Sequence, residues 1–148
     1  MCSKDVFTKL LPLAGQFNAR VVLVNRQDYP GAQPFTLEER AELLRAAIEM
    51  ETDPLAAKER LGAFMREQAH EVYNLLAHLV AEHDVPPARV EENAGGIVVA
   101  GWSFGAAWMM ALLANVASFP MQKVDLSKYM RRVIIHGMYC RSIRSCDA

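Results

Sequence analysis

The stretch Ile97-Val98-Val99-Ala100-Gly101-Trp102-Ser103-Phe104-Gly105 indicates the fold of this chain. Residues 96–100 have the continuous apolar character of a buried strand, and residues 106–117 are rich in alanine, methionine and leucine, as in a buried helix. Between the two lies the pattern G-x-S-x-G at residues 101–105. A strand, a sharp turn and a helix in this order expose a serine hydroxyl beside the first N–H groups of the helix.

This turn predicts nucleophilic chemistry. The hydroxyl of Ser103 would attack a carbonyl carbon, and the backbone N–H of Phe104 would donate to the oxyanion that forms. Two alternatives stay open. In the first, Ser103 is only a small residue in a tight turn. In the second, Gly101 and Gly105 are a G-x-x-x-G contact face within the uncharged stretch 93–122, which is long enough to span a bilayer as a single-pass helix.

Helices and strands alternate along the rest of the chain. A capping box at Thr36 and Glu39 and the pair Asp53-Pro54 each predict the start of a helix. The predicted elements are a helix at 3–17, a strand at 20–24, helices at 36–50 and 54–83, a strand at 96–100, a helix at 106–117, a strand at 132–136 and an irregular tail at 137–148. Because the strands are continuous apolar runs, we expect an α/β fold in which a mostly parallel sheet of about three strands is flanked by helices.

The composition excludes several classes of function. Sixteen Lys and Arg residues balance 17 Asp and Glu residues to a net charge of −1, so the chain lacks the basic surplus of a nucleic-acid-binding protein. The three cysteines, Cys2, Cys140 and Cys146, form no C-x-x-C pair, which argues against a disulfide framework or a zinc ribbon. No metal spacing, phosphate loop or nicotinamide fingerprint appears, so we expect no cofactor. The start of the chain does not read as an export signal, which favours the cytoplasm.

Residues 20–31, 95–115 and 126–135 resemble the α/β-hydrolase superfamily, and within it a group of fungal proteins. The resemblance extends over about residues 3–136, and the turn at 101–105 is its specific part. It implies that Ser103 is the nucleophile and that the Phe104 N–H lines the oxyanion hole. Trp102, beside the turn, is assigned to substrate binding rather than to catalysis. A serine at this position implies a small-molecule ester, thioester or related acyl substrate.

The resemblance also implies a chain truncated at both ends. In this family an acid and then a histidine follow the serine after later strands, and only 45 residues follow Ser103. We therefore expect weak or no hydrolytic activity, and either a homo-oligomer or a partner that supplies the missing segment. A non-catalytic interaction module derived from a hydrolase is the alternative. His136-Gly137 imitates the family's oxyanion loop but comes after the serine, and we interpret it as a coincidence. His70, His78 and His83 are predicted to be surface residues of the long helix or its end.

Overall fold

The computed structural model describes residues 4–120 and 124–137. The chain divides into two compact units, Met1–Ala57 and Lys58–Ala148. The first unit contains a 3₁₀ helix at Lys4–Leu10, helix α1 at Leu11–Ala14, a second 3₁₀ helix at Gly15–Phe17 and helix α2 at Leu37–Thr52. Helix α3, at Pro54–Glu82, begins at the end of the first unit and continues into the second.

The start of α2 confirms the predicted capping box. The hydroxyl oxygen of Thr36 accepts a hydrogen bond from the Glu39 N–H at 3.1 Å, and the Glu39 carboxylate accepts one from the Thr36 N–H at 2.7 Å. Helix α3 begins in a similar way, because the Asp53 carboxylate accepts a hydrogen bond from the Ala56 N–H at 3.1 Å. Each cap satisfies backbone donors that the first turn of a helix leaves without a partner.

The predicted strand at 20–24 is wrong. These residues are in no helix or strand, and the side chains of Val22 and Val24 are 57% and 61% exposed. β-Branched residues favour an extended chain, but a strand also needs a neighbouring strand to bond its backbone groups. The predicted helix at 3–17 is instead a series of short 3₁₀ and α-helical turns, and Pro12 lies at the start of α1.

The second unit contains the sheet. Strand β1, at Ile97–Trp102, pairs in parallel with strand β2, at Met130–His136, and helix α4, at Gly105–Asn115, lies between them in the chain. Both strands confirm predicted ones, although each is longer than expected. The predicted fold class is wrong, however. The chain is mostly helical and its one sheet, within the residues that the structure describes, has two strands rather than about three.

The core of the second unit lies on one face of this sheet. It consists of buried residues from α3, from α4 and from the 3₁₀ helix Leu126–Lys128, and Ile97 and Val99 of β1 pack against it. The next residues along β1, Val98 and Ala100, are exposed instead. Burial therefore alternates along β1, which departs from the expectation that helices cover both faces of the sheet.

The uncharged stretch 93–122 is not a single helix. Its described part, up to residue 120, forms β1, the turn that follows it, α4 and a 3₁₀ helix at Val116–Ser118. No helix within residues 4–120 and 124–137 has both the length and the apolar character needed to cross a membrane.

Candidate active site

Ser103 lies between the end of β1 and the start of α4. Its φ angle is 53°, which is in the left-handed region, and its side chain is exposed. Its backbone is bonded on both sides: the Ser103 N–H donates to the His136 carbonyl at 2.8 Å, and the Ser103 carbonyl accepts from the Ala106 N–H at 3.0 Å. The residue is therefore tied both to β2 and to the first turn of α4, and the sharp turn predicted around the serine is present.

The left-handed conformation of Ser103 is unusual for its residue type. Among the described residues, five that are not glycine have a positive φ: Asn18, Asp28, Asp84, Asn93 and Ser103. Asparagine and aspartate are enriched in this region, because their short side chains bond to the local backbone. Serine has no such preference, and a strained residue of this kind persists only where the surrounding structure imposes it.

The two glycines of the motif have different surroundings. A Cβ atom on Gly101 would lie 2.6 Å from Met109 Cγ, 2.8 Å from the Gly105 carbonyl oxygen and 3.0 Å from Ala106 Cα. A Cβ atom on Gly105 would meet no heavy atom within 4 Å. Gly101 is therefore the position where the missing side chain lets β1 and α4 approach each other.

Aromatic rings lie on both sides of Ser103. The Trp102 side chain is 44% exposed and stacks on the His136 imidazole, with 4.4 Å between ring centroids. The Phe104 side chain is 56% exposed, and its ring lies 5.0 Å from that of Trp108. The serine is therefore flanked by accessible apolar surface, which suits contact with the apolar part of a substrate.

Trp108 anchors α4 behind the site. Its side chain is buried, and its indole N–H donates at 3.2 Å to the Oε1 atom of Gln68 on α3. Because a buried polar group is stable only when it is hydrogen-bonded, this pair holds α4 in one position along α3. The N-terminal end of α4, whose dipole is positive, is thereby held beside Ser103. The role of the Phe104 N–H as an oxyanion donor stays a prediction.

The four histidines have different surroundings. The His70 ring is one of a cluster of three rings, with the centroids of Tyr73 and Phe119 6.4 Å and 5.0 Å away. His78 is an exposed residue of α3, and His83 follows the last residue of that helix. Among the four histidines only His136, whose pairing with Gly137 we interpret from the sequence as a coincidence, has its backbone bonded to that of Ser103. Its position depends on the register of β2 against β1, which no local pattern reveals.

Asp125 has a structural role. Its carboxylate accepts hydrogen bonds from the Ser127 hydroxyl at 2.6 Å and from the Ser127 N–H at 3.1 Å, and so caps the short helix Leu126–Lys128. The Ser127 hydroxyl is the main reason why the pKa of Asp125 lies below its usual value.

Asp147 and all three cysteines lie outside the described residues. In the described part of the chain, no group of three or more His, Cys, Asp or Glu side chains could hold a metal ion.

Comparison with known proteins finds no relative. No protein-family model, no curated protein and no solved structure matches this chain. The resemblance to α/β-hydrolases therefore stays an interpretation of the residues quoted above.

Proposed function

We propose that this chain is a serine hydrolase that cleaves an ester, a thioester or a related acyl bond through Ser103. One observation carries the proposal: a serine occupies the left-handed position of a strand–turn–helix junction, where its φ angle is 53°. A non-glycine residue in such a conformation costs about 1–3 kcal/mol. A nucleophile gains from that conformation because its hydroxyl projects from the turn instead of packing in the core.

In this proposal each neighbour of Ser103 has a role. The Ser103 hydroxyl attacks the acyl carbon, and the Phe104 N–H and the positive end of α4 stabilise the oxyanion. The exposed rings of Trp102 and Phe104 contact the apolar part of the substrate. Serine forms an acyl-enzyme intermediate with carbonyl substrates, so the reaction class is acyl transfer to water.

Covalent labelling tests this proposal directly. The full 148-residue chain is treated with a fluorophosphonate, which needs one reaction per molecule rather than turnover, and the labelled peptide is identified by mass spectrometry. We expect the label on Ser103, and we expect Ser103→Ala to abolish it. Ser118→Ala is the matched control, because Ser118 is another exposed serine and its hydroxyl donates to the Asn115 carbonyl. Absence of label on Ser103 in the folded chain would refute the proposal.

Hydrolysis of p-nitrophenyl acetate provides the second measurement. Turnover is expected to be weak, as the sequence predicts, and any turnover above the uncatalysed rate should be removed by Ser103→Ala and left unchanged by Ser118→Ala. Equal turnover by the wild type and Ser103→Ala would show that the serine is not the nucleophile.

A second candidate function is that of an interaction module. The observation that favours it is the exposed face of the sheet, which carries Val98 and Trp102 of β1 and, opposite Ala100, Ile134 of β2. Parallel sheets ordinarily have both faces covered. This alternative predicts a stable complex or homo-oligomer in light scattering, together with no labelling of Ser103.

A further inference from the structure

His136 is placed beside Ser103 by the backbone. The register of the sheet pairs His136 with Trp102, the residue before the serine, and the His136 carbonyl accepts the Ser103 N–H at 2.8 Å. The next residue, Gly137, has a φ of +84°, and a Cβ atom there would lie 3.6 Å from Ser103 N and 3.8 Å from Ser103 Cα. The end of β2 therefore runs directly alongside the serine.

The His136 ring is held by stacking and is open to solvent. It stacks on the Trp102 indole at 18° to the indole plane, and its side chain is exposed to solvent. The stacking limits the ring's orientation, and the exposure lets it exchange protons with water. The three other histidines do not combine these features: His70 belongs to a cluster with Tyr73 and Phe119, and His78 and His83 belong to α3 and the turn after it.

We propose that His136 is the general base that takes the proton from the Ser103 hydroxyl, an inference that rests on the proposed function. Ser103 Oγ forms a bond to the acyl carbon, and its proton moves to an imidazole nitrogen of His136. The bond from the acyl carbon to the leaving group breaks, and the leaving group departs with that proton. Water then transfers a proton to His136 and attacks the acyl carbon. Ser103 departs and regains the proton, and the acid is released.

This assignment differs from the arrangement that the resemblance implies, in which the histidine follows a later strand. Here the base comes from the strand paired directly with β1, and the next residue after that strand is Gly137. A general base has to come within about 3 Å of the group that it deprotonates. Catalytic pairs often reach this distance only when substrate is bound.

The test is the pH dependence of Ser103 labelling by a fluorophosphonate in the full chain. In that reaction the phosphorus–fluorine bond breaks, fluoride leaves, and the serine proton passes to the base. We expect the wild-type rate to fall as the medium is made more acidic, because a protonated imidazole cannot accept the serine proton. His136→Gln should slow labelling at least about 10²-fold and remove this dependence. His78→Gln, which changes an exposed histidine of α3, should behave as the wild type.

The outcomes separate the two proposals. No label on wild-type Ser103 refutes the proposed function, and the role of His136 with it. Label on Ser103 at the same rate and with the same pH dependence in His136→Gln refutes only the role of His136. If circular dichroism shows that His136→Gln is unfolded, the wild type decides alone, because a labelling rate that is constant from about pH 5 to about pH 8 overturns the inference. Partial recovery of His136→Gly by added imidazole would support it.

Discussion

Replacing Gly101 with alanine adds a methyl group at the contact between β1 and α4. The new carbon would lie 2.8 Å from the Gly105 carbonyl oxygen and 3.0 Å from Ala106 Cα, whereas carbon atoms in contact are ordinarily about 3.5 Å apart. Met109 Cγ, at 2.6 Å, belongs to a flexible side chain that can turn away. The two backbone atoms cannot, so the start of α4 has to move by about 0.5 Å. Overpacking of this kind costs about 1–3 kcal/mol, and we expect about 2 kcal/mol.

Gly105→Ala is the matched control for this substitution. Gly105 is the first residue of α4, and a Cβ atom there would meet no heavy atom within 4 Å. Alanine in a compatible backbone conformation restricts the unfolded chain, so stability should stay unchanged or rise by up to about 1 kcal/mol. The two variants add the same methyl group to the two glycines of one motif, and the structure predicts opposite results for them.

Urea unfolding followed by tryptophan fluorescence and circular dichroism measures both variants against the wild type. A shift of the midpoint at constant slope gives the change in the free energy of unfolding. A Gly101→Ala chain that is within about 0.5 kcal/mol of the wild type would refute the reasoning, because it would mean that α4 does not approach β1 so closely. An equal loss in both variants would contradict it as well.

Three further predictions concern the second unit. Leu112→Ala should lower the free energy of unfolding by about 2–5 kcal/mol in urea titrations because Leu112 is buried in the core, and Leu113→Ala, on the exposed side of α4, should change it by less than about 0.5 kcal/mol. Trp108→Phe removes the indole N–H that donates to α3 and should destabilise the chain by about 1–3 kcal/mol in the same assay. An NMR titration should show the pKa of Asp125 below its usual value, and Ser127→Ala should raise it, because the Ser127 hydroxyl bonds to the charged carboxylate. A lowered folded-state pKa means that the contribution of Asp125 to stability is present above about pH 3.9 and disappears as the pH falls through the lowered value.

Features that depend on a few adjacent residues could be predicted from the sequence. The cap of α2 at Thr36, the start of α3 at Asp53 and the turn at residues 101–105 each need only three to five neighbouring residues to form. In each case the interaction is local. A side chain bonds to backbone atoms nearby in the chain, or a glycine leaves room for them.

Features that depend on distant pairing could not be predicted. Residues 20–24 have the side chains of a buried strand, but a strand forms only where a neighbouring strand, often far along the chain, pairs with it. The exposed face of β1 and the position of His136 next to Ser103 follow in the same way from the register of β2, which a local pattern does not contain.

The backbone of Ser103 has a consequence for any attempt to select more stable forms of this protein. At a φ of 53° glycine is under no strain, so Ser103→Gly should raise the unfolding midpoint even as it removes the nucleophile. A screen for thermal stability alone would favour this substitution, and a screen that also requires catalysis would reject it. If Ser103 serves catalysis, the two screens give opposite results at this position. If it only makes the turn, both screens accept glycine.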